Sequence, residues 1–320
     1  MRVKINPGKQ RRSINFIDNI VYSHVNDLQG NPMELTLSLM VQNGNCEMRL
    51  ASGRDDEVST GKQPLVIWIN GAGWRGVDKN LMAAEMEFLA EAGFAVANIY
   101  YRSSKEGHFP AQLVDCKTAV RYLRSHAEEY GIDPEHIGVI GRSAGGHLAA
   151  FLAMNSSGFD SREWTDTSSK VQAAVDMFGL ADIPMYSKIT FELIKRPDYR
   201  WHSMAETHEG ALFGVTGETT EEEILAMGAK ASPINYINED MCPMAIFHGD
   251  QDPLVPLAVS EHFYEEIQKA GLGDRTDFYV VENGGHGTRE FFQPMTKQII
   301  TDFFIKHLKL GRRMDNGADK

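Results

Sequence analysis

A serine, a histidine and an aspartate in this chain are spaced as a nucleophile, its base and an orienting acid would be. Ser143 lies in Gly141-Arg142-Ser143-Ala144-Gly145, a G-x-S-x-G pentapeptide. The apolar run Ile137 to Ile140 before it suits a buried strand, and Leu148, Leu152 and several alanines after it recur at helical spacing. A serine between a strand and a helix sits on a very sharp turn, and glycines two residues to either side relieve the crowding. Its hydroxyl then projects at the carboxyl edge of a sheet, beside the positive end of a helix. An alcohol is a poor nucleophile at neutral pH, so it needs a base, and the base needs an acid to orient it. Further along the chain come His248-Gly249-Asp250-Gln251-Asp252-Pro253 and then Gly284-Gly285-His286-Gly287, each following an apolar run. Acid then base is the order this strand–turn–helix architecture uses.

These residues assign His286 as the general base, with Asp252 holding its tautomer and stabilising the imidazolium. Asp250 is the rival acid, although its place nearer the strand end suits a carboxylate that caps turn amides. An oxyanion needs backbone donors. Ala144 at the helix start supplies one, and Ala72 or Gly73, in Asn70-Gly71-Ala72-Gly73-Trp74, supplies the other. The same turn reads as G-x-G-x-x-G over Gly71 to Gly76, a dinucleotide fingerprint. Polar Asp78-Lys79-Asn80 after Gly76, and a following strand that ends in Tyr100-Tyr101-Arg102 instead of an acid, argue against that reading. Trp74, His108 and Trp201 are candidate substrate contacts. His147, one turn into the helix, is expected to pack. With no H-E-x-x-H, no C-x-x-C and scattered histidines, neither a metal nor a cofactor is expected.

Several elements must bring these side chains together. Residues 1–18 are polar and basic and read as a loose arm. NIVYSHV and MELTLSLMV over 19–41 read as two strands, and residues 42–63 as a solvated connection. PLVIWIN (64–70) suits a central strand, followed by a helix from about Asn80 to Ala92, a strand from Phe94 to Tyr101 and a helix opening at Pro110. After the serine helix, VQAAVDMFG at 171–179 resumes the sheet. Residues 180–232 break the rhythm and read as an inserted lid. Its aromatics suit an aryl or sugar ring, or else form the lid's own small core. MCPMAIFHGD, LAVSEHFYEEIQKAG, DFYVVENGG and FFQPMTKQIITDFFIKHL then read as strand, helix, strand, helix, and 311–320 as a frayed tail. The alternation implies an α/β fold, a mostly parallel sheet with helices on both faces, forming one domain over 19–310.

Composition narrows the partners. With 42% hydrophobic residues in 320, the chain has enough apolar material for a large core, and its net charge of −12 argues against nucleic acid and acidic membrane surfaces. Cys46, Cys116 and Cys242 are few, odd in number and far apart, which suits free thiols in a reducing compartment. The first thirty residues lack the apolar block of a signal peptide, so the chain reads as cytoplasmic as given; a trimmed leader would leave the same appearance.

The chain resembles the α/β-hydrolase serine esterases, in particular the bacterial feruloyl and acetyl-xylan esterase-like (BD-FAE type) group. The resemblance rests on the NGAGW turn, YYR…FPAQLVDCKTAVRYLR, GRSAGGHLAA, ASPINYI, HGDQDPLVP and GGHG, in that order. It implies a Ser143–Asp252–His286 triad and an oxyanion strip in which Asn70 replaces a usual histidine and Ala72 a usual glycine. It also implies cofactor-free hydrolysis of small or carbohydrate esters, acetyl or hydroxycinnamoyl, through an acyl-enzyme. A peptidase or acyltransferase on the same triad, and a catalytically silent binding module, are the alternatives.

Overall fold

Runs that are apolar on every residue, such as Leu65 to Ile69, suit strands covered on both faces, and the structure uses them so. The computed structural model describes residues 1–4, 13–42, 62–76, 78–155 and 157–308. Among these, eight strands form one sheet: β1 (Ile14–Asn26), β2 (Pro32–Gln42), β3 (Gln63–Ile69), β4 (Ala95–Ile99), β5 (Ile132–Arg142), β6 (Ala173–Met177), β7 (Met244–Gly249) and β8 (Thr276–Val281). Their order is β1-β2-β4-β3-β5-β6-β7-β8. The β1–β2 and β2–β4 pairs are antiparallel and the rest parallel.

Side chains on a strand alternate between faces, and β3 divides its own: Leu65, Ile67 and Ile69 enter one core, Val66 and Trp68 the other. The first core takes α2 (Ala111–Ser125), α4 (Ala144–Ala153) and α8 (Leu257–Lys269); the second takes α1 (Glu87–Ala92) and α9 (Pro294–His307). The short α3 (Ala127–Tyr130) precedes β5. Each fully buried Leu, Ile or Val contributes about 1.5–3 kcal/mol of transfer free energy. The two layers therefore fix the sheet, and the sheet fixes the loops at its carboxyl edge. The parallel register brings Ile69 beside Gly141, Arg142 beside Met177, and Gly249 beside Val281, so the loops after β3, β5, β6, β7 and β8 open on one edge. Among the described residues no helix is long and apolar enough to cross a membrane.

Two expectations need correction. The arm does not extend to residue 18, because β1 begins at Ile14 and pairs from Ile14↔Gln42; as an edge strand it leaves Phe16 to Asn19 exposed. The helix over Asn80–Ala92 is α-helical only from Glu87. Met82 stands at φ 64, a left-handed residue that blocks a continuous helix, and a 3-10 turn at Ala83–Met86 follows it. Residues 180–232, read as an inserted lid, hold no strand. The insert between β6 and β7 holds α5 (Ile183–Leu193), α6 (His208–Phe213) and α7 (Glu221–Lys230), with Phe191, Met204, Val215 and Ile224 as a core of its own. Of the connection expected over 42–63, residues 43–61, with Cys46, lie outside the described residues, as does the tail at 311–320; Gln42 ends β2 and Gln63 opens β3. Cys116 and Cys242 are buried free thiols.

Candidate active site

The serine turn is built by close approach. Ser143 stands at φ 52, ψ −123 between β5 and α4, a backbone state that costs a non-glycine residue about 1–3 kcal/mol. A Cβ on Gly141 would lie 2.1 Å from the Gly145 carbonyl oxygen, and one on Gly145 would lie 1.9 Å from that of Ile69. Only glycine fits either place. The Ser143 N–H donates to the Met177 carbonyl (2.8 Å), tying the turn to β6.

From the ends of β7 and β8 come the partners. His286 Nε2 lies 2.8 Å from Ser143 Oγ, and His286 Nδ1 lies 2.7 Å from Asp252 Oδ2. The carboxylate accepts at Nδ1, so Nδ1 carries the proton and Nε2 is free to accept from the serine. Asp252 Oδ1 accepts the N–H groups of Leu254 (2.8 Å) and Val255 (3.0 Å). His248 Nε2 faces Oδ2 at 3.4 Å while donating to the Val255 carbonyl at 2.9 Å. Burial would raise the Asp252 carboxyl, but His248 and His286 outweigh it, and the group sits well below the usual carboxylate range. It therefore stays charged at neutral pH, opposite the imidazole it orients. Asp250, the rival acid, is exposed. Phe178 packs edge-on against the His286 ring at 4.8 Å.

The turn after β3 faces the serine. Ala72, Gly73 and Trp74 have φ of 132, 57 and 56, three positive values in a row. Asn70 anchors this turn from beneath, its Nδ2 donating to the Asp78 carbonyl (2.9 Å) and its Oδ1 accepting from Arg142 Nε (2.9 Å). Arg75 of this turn donates to the carbonyls of Glu206 and Thr207 in the insert, and the insert's His208 ring lies over Gly73, where a Cβ would come within 2.3 Å of Nδ1. The insert is thus docked on the turn. Desolvation, with Arg75, Arg200 and His286 acting in the same direction, pushes His208 down to about 4 and leaves it neutral.

Ala72, Gly73, Ala144, Ser143 and His286 line one cavity of about 370 Å³. Trp74, a candidate substrate contact, lines it too. His108 does not: its exposed ring packs under Gly214, where a Cβ would meet it at 2.3 Å, because the loop before α2 receives the end of α6. Trp201 stands one step back, edge-on to His208 at 4.8 Å with the Arg200 guanidinium 3.8 Å over its ring. His147 is buried; its Nε2 donates to the Ala231 carbonyl (2.7 Å), and burial pushes it down to about 4. It is a packing residue, as expected. Arg142, Phe178, Tyr186, Arg200 and His208 also line the cavity, and sequence reasoning missed them. Only Arg142 had a signal, as the variable residue before the serine.

The profile of the family described as BD-FAE matches residues 55–267. The chain is 29% identical over 287 residues to Esterase LipQ of Mycobacterium tuberculosis, an alignment covering 87% of this chain and 62% of that protein. It is 28% identical over 223 residues to the probable carboxylic ester hydrolase LipM of the same organism, covering 68% and 47%. The chain thus spans about half to three fifths of the length of these relatives. Among solved structures, a truncated form of a carbohydrate esterase from gut microbiota superposes with a TM-score of 0.73 at 29% identity, covering 95% of this chain and 99% of that one.

Proposed function

The chain belongs to the BD-FAE family, and from that premise we propose that it is a serine carboxylic-ester hydrolase working through an acyl-enzyme. The observation that carries the reading is the unbroken chain from Ser143 Oγ through His286 to a buried, charged Asp252, with Ser143 and His286 lining a cavity. Ser143 Oγ attacks the ester carbonyl carbon as His286 Nε2 takes its proton. Negative charge gathers on the carbonyl oxygen, where the N–H groups of Ala144 and of Ala72 or Gly73 receive it; one such donor is worth about 3–4 kcal/mol in the transition state. His286 then returns the proton to the leaving alcohol, and the acyl group remains on Ser143. Water, activated by the same imidazole, releases the acid and restores the serine.

The substrates of this reading are acetyl or hydroxycinnamoyl esters of carbohydrates and related small esters. The carbohydrate esterase fold neighbour supports that range, and the cavity is of a size that takes a single acyl or aryl group. Turnover of p-nitrophenyl acetate, butyrate and a feruloyl ester tests it, with Ser143→Ala as control. The variant is expected to lose hydrolysis of all three, and retained turnover would overturn the assignment.

A further inference from the structure

The protein carries a net charge of −12, yet the cavity over Ser143 is lined by Arg142 and Arg200 and by no aspartate or glutamate. Asp252 lies behind His286 with its side chain fully buried and commits both oxygens there and to backbone N–H groups. Elsewhere several arginines are matched by carboxylates, Arg102 by Asp115, Arg121 by Asp160 and Arg196 by Asp198, while Arg75, Arg124 and Arg275 donate to backbone carbonyls. Neither cavity arginine has an ion pair among the described residues. Arg142 meets only a neutral acceptor, Asn70 Oδ1. It is half-buried next to Ser143, and burial lowers its pKa. A desolvated cation without a counter-charge is costly, and an anion entering beside it offsets that cost.

Arg200 is exposed at the mouth, seated 3.8 Å over the Trp201 ring. A ring face fixes the plane of a guanidinium while using none of its N–H donors, so the fork that matches a carboxylate stays available. The neutral His208 beside it adds hydrogen bonding without charge. Phe178, Leu180 and Val255 offer only apolar surface.

We propose that this cavity selects esters bearing a carboxylate, on the alcohol or on the acyl group, with Arg200 receiving that carboxylate and Arg142 supplying positive potential beside Ser143. The reaction in this statement rests on the hydrolase reading; the charge preference rests on the lining alone. An acidic sugar would place the charge on the alcohol side, and a dicarboxylic acid half-ester on the acyl side.

Two probe pairs separate these sources: 4-acetoxybenzoate against its methyl ester, and 4-nitrophenyl hydrogen succinate against 4-nitrophenyl butyrate. The readout is the anionic-to-neutral ratio of kcat/KM, so that intrinsic reactivity and any general loss cancel between variants. In one arm Arg200→Gln should lower the ratio about tenfold, the effect of one charge-assisted hydrogen bond. Arg200→Lys should recover part of it, and added salt should lower the wild-type ratio but not that of Arg200→Gln. A ratio unmoved by Arg200→Gln in both arms overturns the proposal. Calorimetric binding of 4-acetoxybenzoate and 4-nitrophenyl hydrogen succinate to the Ser143→Ala protein, with and without Arg200→Gln, runs independently of turnover. Arg200-dependent binding in a protein that hydrolyses no ester would overturn the hydrolase reading and keep the anion site. Ester turnover without charge discrimination would do the reverse.

Discussion

Replacing Asp252 by Asn changes one atom and should remove nearly all activity, for a reason visible in its hydrogen bonds. Oδ1 accepts two backbone N–H groups, from Leu254 at 2.8 Å and Val255 at 3.0 Å. An asparagine must keep its carbonyl oxygen there, since an amide nitrogen cannot accept. The NH2 group then takes the place of Oδ2, 2.7 Å from His286 Nδ1, and can only donate. That forces the His286 tautomer with Nδ1 unprotonated and the proton on Nε2, which faces Ser143 Oγ at 2.8 Å and can no longer take its proton. A wrong tautomer in a triad of this kind lowers kcat about 10⁴-fold, or about 5 kcal/mol of barrier. Initial rates on p-nitrophenyl acetate, with circular dichroism as a check on folding, measure it. ¹⁵N chemical shifts of the His286 ring report the tautomer directly. A folded Asp252→Asn protein within tenfold of wild type would refute the reasoning.

Two further outcomes follow from the same structure. In Gly145→Ala the new Cβ would meet the Ile69 carbonyl oxygen at 1.9 Å, a backbone atom that cannot swing away; in Gly138→Ala the nearest atom is Cε1 of Phe304 at 2.8 Å, remote from the serine. Displacing Ser143 or the β3 turn by about 1 Å costs about 10²-fold in kcat, whereas Gly138→Ala should cost about 1–3 kcal/mol of stability and little rate; comparable kcat values for the two variants would contradict this. Burial raises Asp176 to about 6, against the Gly179 N–H and His248, which act the other way, so the native state keeps a proton that the unfolded chain gives up near 3.8. Stability from this group therefore falls as pH rises through that window, by an amount on the order of 3 kcal/mol. Asp176→Asn should raise urea midpoints more at about pH 7 than at about pH 4.5, and an equal shift at both would dismiss the buried charge.

How much could be read in advance depended on which faces of the chain water sees. β3, β6 and β7 are buried on both faces, so their residues read as plain apolar runs; Ser143 and Asp252 stand in the loops after β5 and β7, and His286 follows β8, a strand only partly covered. The start of β1 carries no strand pattern, because its apolar Phe16 and Ile17 are exposed next to exposed Asp18 and Asn19 on an edge strand. The insert was harder for a different reason. Its helices are short, and their apolar residues face two ways, Ile183 and Leu212 into the first core of the sheet and Phe191 and Ile224 into the insert's own. Its caps were nonetheless present: Thr220 and Glu223 form a capping box, and Asp182 and Thr207 accept from the first turns of α5 and α6. Nothing in the spacing of Tyr186, Arg200 or His208 ties them to the serine. Their place in the cavity follows from how the insert docks on Arg75 and Gly73, which is tertiary. His108 was misjudged for the same reason, since the end of α6 claims the side of the ring that a substrate would need.

The central claim is that an ester's acyl group passes through Ser143. Mixing the protein with p-nitrophenyl acetate, quenching in acid within the first turnovers and sequencing its peptides by mass spectrometry tests that directly. One acetyl group on Ser143, and none in the His286→Ala variant, is the predicted result. An unmodified Ser143 while p-nitrophenol is being released in a burst, or the acetyl group on another residue, would contradict it.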